Sequence, residues 1–221
     1  MNKKKTTTIV LCALLLAGCS TNTGTGALIG TGGGAVLGAI VGKIAGNTAV
    51  GTAVGAAVGA GAGAAIGKHM DKVKAQTERE LQNAKIEEVT DANGLKAVKV
   101  TFDSGILFDL NKSTLSSSSM NELARFSNVL KSNADCSVDI YGYTDRSGGD
   151  GINVPLSQKR AQAVADYLRQ CGVSNMQMKN ITGMGSQNPI VDSNVAKENR
   201  RVEVFLYASE AMMRNAENGN L

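Results

Sequence analysis

The sequence has no tryptophan, one histidine and two prolines, and aromatic residues make up only 4% of its 221 positions. So few rings exclude a stacking platform for single-stranded nucleic acid. His69 and the four cysteines (Cys12, Cys19, Cys136, Cys171) form no dense Cys/His cluster and match none of the usual zinc spacings. A real excess of positive charge is missing too. The formal charge is +4, but Lys3, Lys4 and Lys5 lie in a segment of signal type. Without them Lys+Arg falls from 23 to 20 against 19 acidic residues, a charge of +1, which does not describe a basic nucleic-acid binder. The chain also has no nucleophile elbow, no metal cluster and no histidine in a general-base setting. No catalytic residue, no metal site, no cofactor and no enzymatic activity are therefore expected. With 43% apolar residues, the length instead suggests one or two compact domains.

What is present begins with an address. In MNKKKTTTIVLCALLLAGC a basic stretch precedes an apolar run, Ile9 to Ala17, that is too short to span a bilayer. The run ends in Leu16-Ala17-Gly18-Cys19, which resembles the lipobox of bacterial lipoproteins. The resemblance implies a signal peptide over 1–18, removed before Cys19, and acylation (palmitate included) of the new terminus. Several acyl chains, at roughly 0.8 kcal/mol per methylene, anchor a protein firmly. Ser20, where an Asp would imply inner-membrane retention, implies the outer membrane with the C-terminal domain in the periplasm.

Fifteen of the 26 glycines fall between Gly24 and Gly67. Gly30, Gly34, Gly38, Gly42 and Gly46 repeat every four residues. After a slip at Asn47-Thr48, Gly51, Gly55, Gly59, Gly63 and Gly67 do the same. That spacing lines one helical stripe, where a missing side chain lets another backbone approach. The stretch resembles the glycine zippers of outer-membrane lipoproteins, and a helical hairpin over 19–67 is expected. A flexible spacer is the other reading, and membrane insertion is left open. From Lys68 the composition turns abruptly charged, and 68–93 reads as a solvent-exposed helical linker.

Asn93-Gly94 opens the globular part, 94–208. Val98, Val100 and Phe102 alternate as a half-buried strand does. Ser119–Glu122 has the form of a capping box, followed by Leu123, Phe126 and Leu130 on one helical face. Cys136, Val138 and Ile140 alternate again. A polar glycine-rich loop leads to a helix after Ser157, stopped at Gly172. Further strands fall near 179–182 and at Val202, Val204 and Leu206, and 209–221 reads as a polar tail. Alternating strands and helices predict an α/β (or α+β) sandwich, a mixed sheet with helices on one face. Cys136 and Cys171, at the two ends of one strand–helix unit, are read either as a disulfide or as two free thiols.

The stretches FDLNKSTL (108–115), GYTDRSGG (142–149), NVPLSQKRA (153–161), GMGSQNPI (183–190) and NRRVEV (199–204) resemble the OmpA-like domain family. Lipobox, zipper and this domain, in that order, are most similar to YiaD-type lipoproteins, relatives of the peptidoglycan-associated lipoproteins. The resemblance implies non-covalent binding of peptidoglycan through diaminopimelate. Asp145 then accepts its ammonium and Arg160 grips its carboxylate. Asn111 and Asn153 add hydrogen bonds, Arg200 lines the site, and Arg201 is a less certain neighbour. The partners implied are peptidoglycan and, through Cys19, the outer-membrane lipid, with no nucleic acid and a homo-oligomer left open. The alternative is a membrane-active or surface-antigen protein acting mainly through its zipper. Removal of residues 24–67 separates the two.

Overall fold

A computed structural model describes residues 60–91, 93–108 and 111–221. The signal segment, Cys19 and the proposed hairpin turn lie outside the described residues. Helix α1 (Ala60–Glu80) carries Ile66, Met70, Val73 and Thr77 three or four positions apart, all buried on one face. Strand β1 (Ala84–Thr90) follows and pairs antiparallel with β2 (Lys96–Asp103). A short helix, α2 (Ser104–Leu107), and α3 (Ser117–Ser132) lead to β3 (Cys136–Gly142). Then come α4 (Asp150–Gln170), β4 (Met178–Gly183), β5 (Arg201–Ala208) and α5 (Glu210–Glu217).

The sheet order is β1-β2-β5-β3-β4, antiparallel except for the parallel β3–β4 pair joined through α4. One face presents Val98, Val100, Phe102, Val138, Ile140, Val202, Val204 and Leu206 to α1, α3, α4 and α5. Phe102 and Phe126 meet edge to face there, 5.6 Å between centroids. The other face holds a smaller cluster in which Tyr141, Tyr143, Met184 and Phe205 come together, with no helix over them among the described residues. The expected mixed sheet with helices on one face is what forms.

Several boundaries differ from those expected. The stretch 68–93 is no exposed linker, because α1 inserts its apolar stripe into the core and 84–90 adds an edge strand. Alternating Glu and Lys on β1 obscured it: Glu87 pairs with Lys99 of the neighbouring strand at 2.9 Å. Asn93-Gly94 is the β1–β2 hairpin turn, with the Asp91 carboxylate accepting from the backbone N–H groups of Asn93 and Leu95 and Gly94 at φ +74°. The tail 209–221 contains α5, which buries Met212 and Ala216. The first turn of α3 is capped by Ser116, not Ser119. Glu122 instead accepts from the backbone N–H groups of Gln82 and Asn83 at 2.7 and 3.0 Å, tying α3 to the turn after α1. Gly172 does stop α4: at φ +90° it donates to Arg169, while Val173 donates to Leu168, a Schellman closure. Cys136 and Cys171 are free thiols.

Candidate functional site

The site is built where β3 ends. Two glycines there, Gly142 and Gly183, face each other across the parallel pair. A Cβ on Gly142 would lie 2.2 Å from the Ser157 carbonyl oxygen, and one on Gly183 would lie 2.2 Å from the Gln158 nitrogen. Their bare backbones let α4 lie directly on the strand ends. Gln158 fastens the contact, accepting from Gly183 N at 2.6 Å and donating to the Ile181 carbonyl at 3.2 Å. Helix α4 begins at Asp150, well before the boundary after Ser157 expected from the apolar pattern. Pro155 stands inside it rather than in a loop.

Asp145 lies three residues beyond β3 and is buried, its side chain only 5% exposed. The Arg200 guanidinium donates to its Oδ2 at 2.6 Å. Both the backbone N–H and the hydroxyl of Ser147 donate to Oδ1. Burial pushes the carboxyl pKa up, but the bonds from Ser147 and Arg200 outweigh it and hold the pKa below the ordinary carboxylate value. Asn153 Nδ2 donates to the Asp145 carbonyl at 2.8 Å, which pins the loop to the first turns of α4.

Arg160 lies two helical turns after Asn153, on the same face, and is 3% exposed. Its guanidinium sits 5.3 Å over the Phe108 ring, and Nε donates to the Lys112 carbonyl at 3.1 Å. Nη1 is buried with no hydrogen-bond partner among the described residues. Burial and the nearby Arg200 charge lower the Arg160 pKa, and Asp145 partly offsets them. Among the described residues, one carboxylate and two guanidiniums thus share a neighbourhood, with an unused donor on Arg160. Asn111, next to Lys112, is exposed and adopts a left-handed φ of +57°.

The structure thus brings Asp145, Asn153, Arg160 and Arg200 together and places Asn111 beside the carbonyl that Arg160 holds. Arg201 goes elsewhere. Alternation along β5 turns it to the opposite face, 3.8 Å over the Tyr143 ring and paired with buried Glu203 at 2.7 Å. Sequence reasoning missed Ser147, Gln158 and Phe108. Their roles depend on contacts between segments, and only the quoted motifs hinted at them.

The region that carries this fold, residues 107–203, matches the family described as "OmpA family". Residues 1–71 match the "YMGG-like Gly-zipper", so a zipper-type match precedes the OmpA-type match along the chain. The chain is 32% identical over 136 residues to the probable lipoprotein YiaD of Escherichia coli K12, covering 58% of this chain and 62% of that one. It is 47% identical over 88 residues to the peptidoglycan-binding protein ArfA of Mycobacterium tuberculosis H37Rv, covering 38% of this chain but 26% of that one. It therefore spans about a quarter of ArfA and under two thirds of YiaD. A MotB-like protein from Desulfovibrio vulgaris shares the fold with a TM-score of 0.56 at 18% identity, over 66% of this chain and 99% of that one.

Proposed function

We propose that this chain is an outer-membrane lipoprotein, anchored through Cys19, whose periplasmic C-terminal domain binds peptidoglycan non-covalently through diaminopimelate and so tethers the envelope to the wall. The observation that carries the reading is the convergence of Asp145, Arg160 and Arg200, with Arg160 Nη1 buried and unpartnered among the described residues. The free end of diaminopimelate bears an ammonium and a carboxylate on one carbon. A carboxylate offers about four lone-pair sites; Ser147 and Arg200 take three on Asp145, which leaves one on Oδ2 for the ammonium. The ligand carboxylate meets the guanidiniums, whose planar fork suits it better than an amine. Asn153 and Asn111 add hydrogen bonds to the ligand. The similarity to a relative named as peptidoglycan-binding supports peptidoglycan as the partner.

The function is recognition rather than catalysis, so incubation with purified sacculi is expected to release no soluble muropeptides. Binding is tested by co-sedimentation of the chain with sacculi, with free diaminopimelate as competitor. Asp145→Ala and Arg160→Ala are each expected to weaken binding by about 2–5 kcal/mol, because each strands an opposite charge of the ligand in a shielded site. Binding by both variants within twofold of the parent, with unchanged circular dichroism, overturns the assignment. Normal outer-membrane fractionation of Cys19→Ser overturns the anchor.

A further inference from the structure

At the far end of β3 from Asp145, three side chains of different ligating chemistry meet. His69 comes from α1, and Asp135 and Cys136 come from the entry into β3. Their ligand atoms all lie within 4.8 Å of one another. They are graded from solvent to core: the Asp135 side chain is 39% exposed, His69 is 26% exposed, and Cys136 is buried. His69 Nε2 is itself buried and makes no hydrogen bond among the described residues, because Asp135 Oδ1 stands 3.7 Å away. That is too long for a hydrogen bond. It is close to the roughly 3.4 Å separating two ligand atoms that share a tetrahedral ion at about 2.1 Å each. Asp135 and Cys136 also line an open groove of ≈ 810 Å³, together with Gln177, Tyr207 and Ser209, which offers a route for an ion and room for a water.

We propose that His69, Asp135 and Cys136 form a binding site for a divalent zinc-class cation, the fourth position being left to water from the groove. One imidazole, one carboxylate and one thiol are a borderline-soft set of the kind zinc takes. The carboxylate and the thiolate together neutralise the 2+ charge. As the Sγ–metal bond forms, the thiol proton leaves to solvent, so one proton is released per ion taken up. Closing the three atoms onto an ion needs a shift of about 1 Å at the widest pair. Asp135 and the His69 ring, both partly exposed, can supply it. Because His69 lies on α1 and the other two stand at the start of β3, a bound ion cross-links the helix that precedes the OmpA-matched residues 107–203 to the central sheet. The motif is not visible in the sequence, where His69 and Asp135 are 66 residues apart.

The test is titration of the purified full chain with Zn²⁺ alone, read by native mass and by calorimetry in two buffers of different protonation enthalpy. One ion per chain and about one proton released are expected, together with a higher Tm. His69→Ala, at a partly exposed position, and Asp135→Asn are each expected to weaken binding roughly tenfold or more while the far-UV circular dichroism stays that of the parent. Loss of a direct ligand costs no less than loss of an outer-shell partner, which already costs 10–100-fold. Cys171→Ser is expected to leave binding unchanged. Cobalt substitution adds a readout of sulfur ligation, a thiolate charge-transfer band present in the parent and lost in Cys136→Ala. Absence of a bound ion in the parent, or His69→Ala and Cys136→Ala both binding as the parent does, overturns the proposal.

Discussion

Asp145 and Arg160 show how burial and pairing combine in a single side chain. Because the Asp145 carboxyl is held below its ordinary pKa in the fold, the native state binds that proton less readily than the unfolded chain. Its stabilisation is complete above the unfolded value of about 3.9 and is lost as pH falls through the lower folded value. Asp91 and Asp139 shift the other way. Burial raises both, against hydrogen bonds that include those from Leu95 and Asn93 to Asp91 and from Asn180, Tyr141 and Tyr207 to Asp139. The acid limb of the whole protein therefore mixes signs, and the difference between parent and Asp145→Asn isolates one of them. Urea unfolding at several pH values is expected to show a gap in favour of the parent at neutral pH that narrows below about pH 4. A gap that widens on acidification contradicts the assignment. At Arg160, Lys keeps the charge but loses the planar fork and the Nε donor to the Lys112 carbonyl. Arg160→Lys is expected to bind sacculi at least about tenfold more weakly than the parent.

At the scale of an element, the site depends on how close α4 can come to β3 and β4. Gly142 and Gly183 set that distance, since a methyl at either would sit 2.2 Å from helix backbone atoms that cannot rotate away. Gly183→Ala is expected to destabilise the domain by about 1–3 kcal/mol or more. For a body of this size that lowers Tm by roughly 2–4 °C per kcal/mol. It should also weaken sacculus binding, because Asn153 and Arg160 ride on the displaced helix. Gly151 is the contrasting case. It lies in the same helix with nothing within 4 Å of its would-be Cβ, so Gly151→Ala is expected to stabilise by about 0.4–1 kcal/mol. Thermal melts of the two variants read both signs, and a Gly183→Ala protein as stable as the parent would remove the close-approach argument.

For the molecule as a whole, the folded body extends further than the region matched to the family. Helix α1 buries Ile66, Met70 and Val73 in the main core, and burying such a side chain is worth about 1.5–3 kcal/mol. A chain beginning at Gly94 loses these contacts and also uncovers the β2 edge, an exposed template for aggregation. It is expected to melt well below a chain beginning at Ala60, or to aggregate, as scanning calorimetry of the two would show. The last zipper glycines belong to this body. A Cβ on Gly63 or Gly67 would meet Leu95 or Lys96 at 3.8 or 3.7 Å, so the end of the ladder faces the start of β2. No helix among the described residues is long and apolar enough to cross a membrane.

Local order was legible in the amino-acid sequence because it rests on near neighbours. The alternation of Val98, Val100 and Phe102, the stripe of Leu123, Phe126 and Leu130, and the stop at Gly172 each follow from two-residue or 3.6-residue periodicity and from glycine's access to positive φ. Asp145 and Arg160 were also legible, through the ordered motifs that surround them. The strand nature of 84–90 was not, since Lys85, Glu87 and Glu88 hide an edge strand until Lys99 and Lys96 of β2 come alongside. Nor was the capture of Asp145 by Arg200, the turn of Arg201 to the opposite face, or the meeting of His69 with Asp135 and Cys136. Those depend on sheet order β1-β2-β5-β3-β4, which brings distant segments within a few ångströms. Charges and ligands act across that distance, and periodicity along the chain carries no record of it.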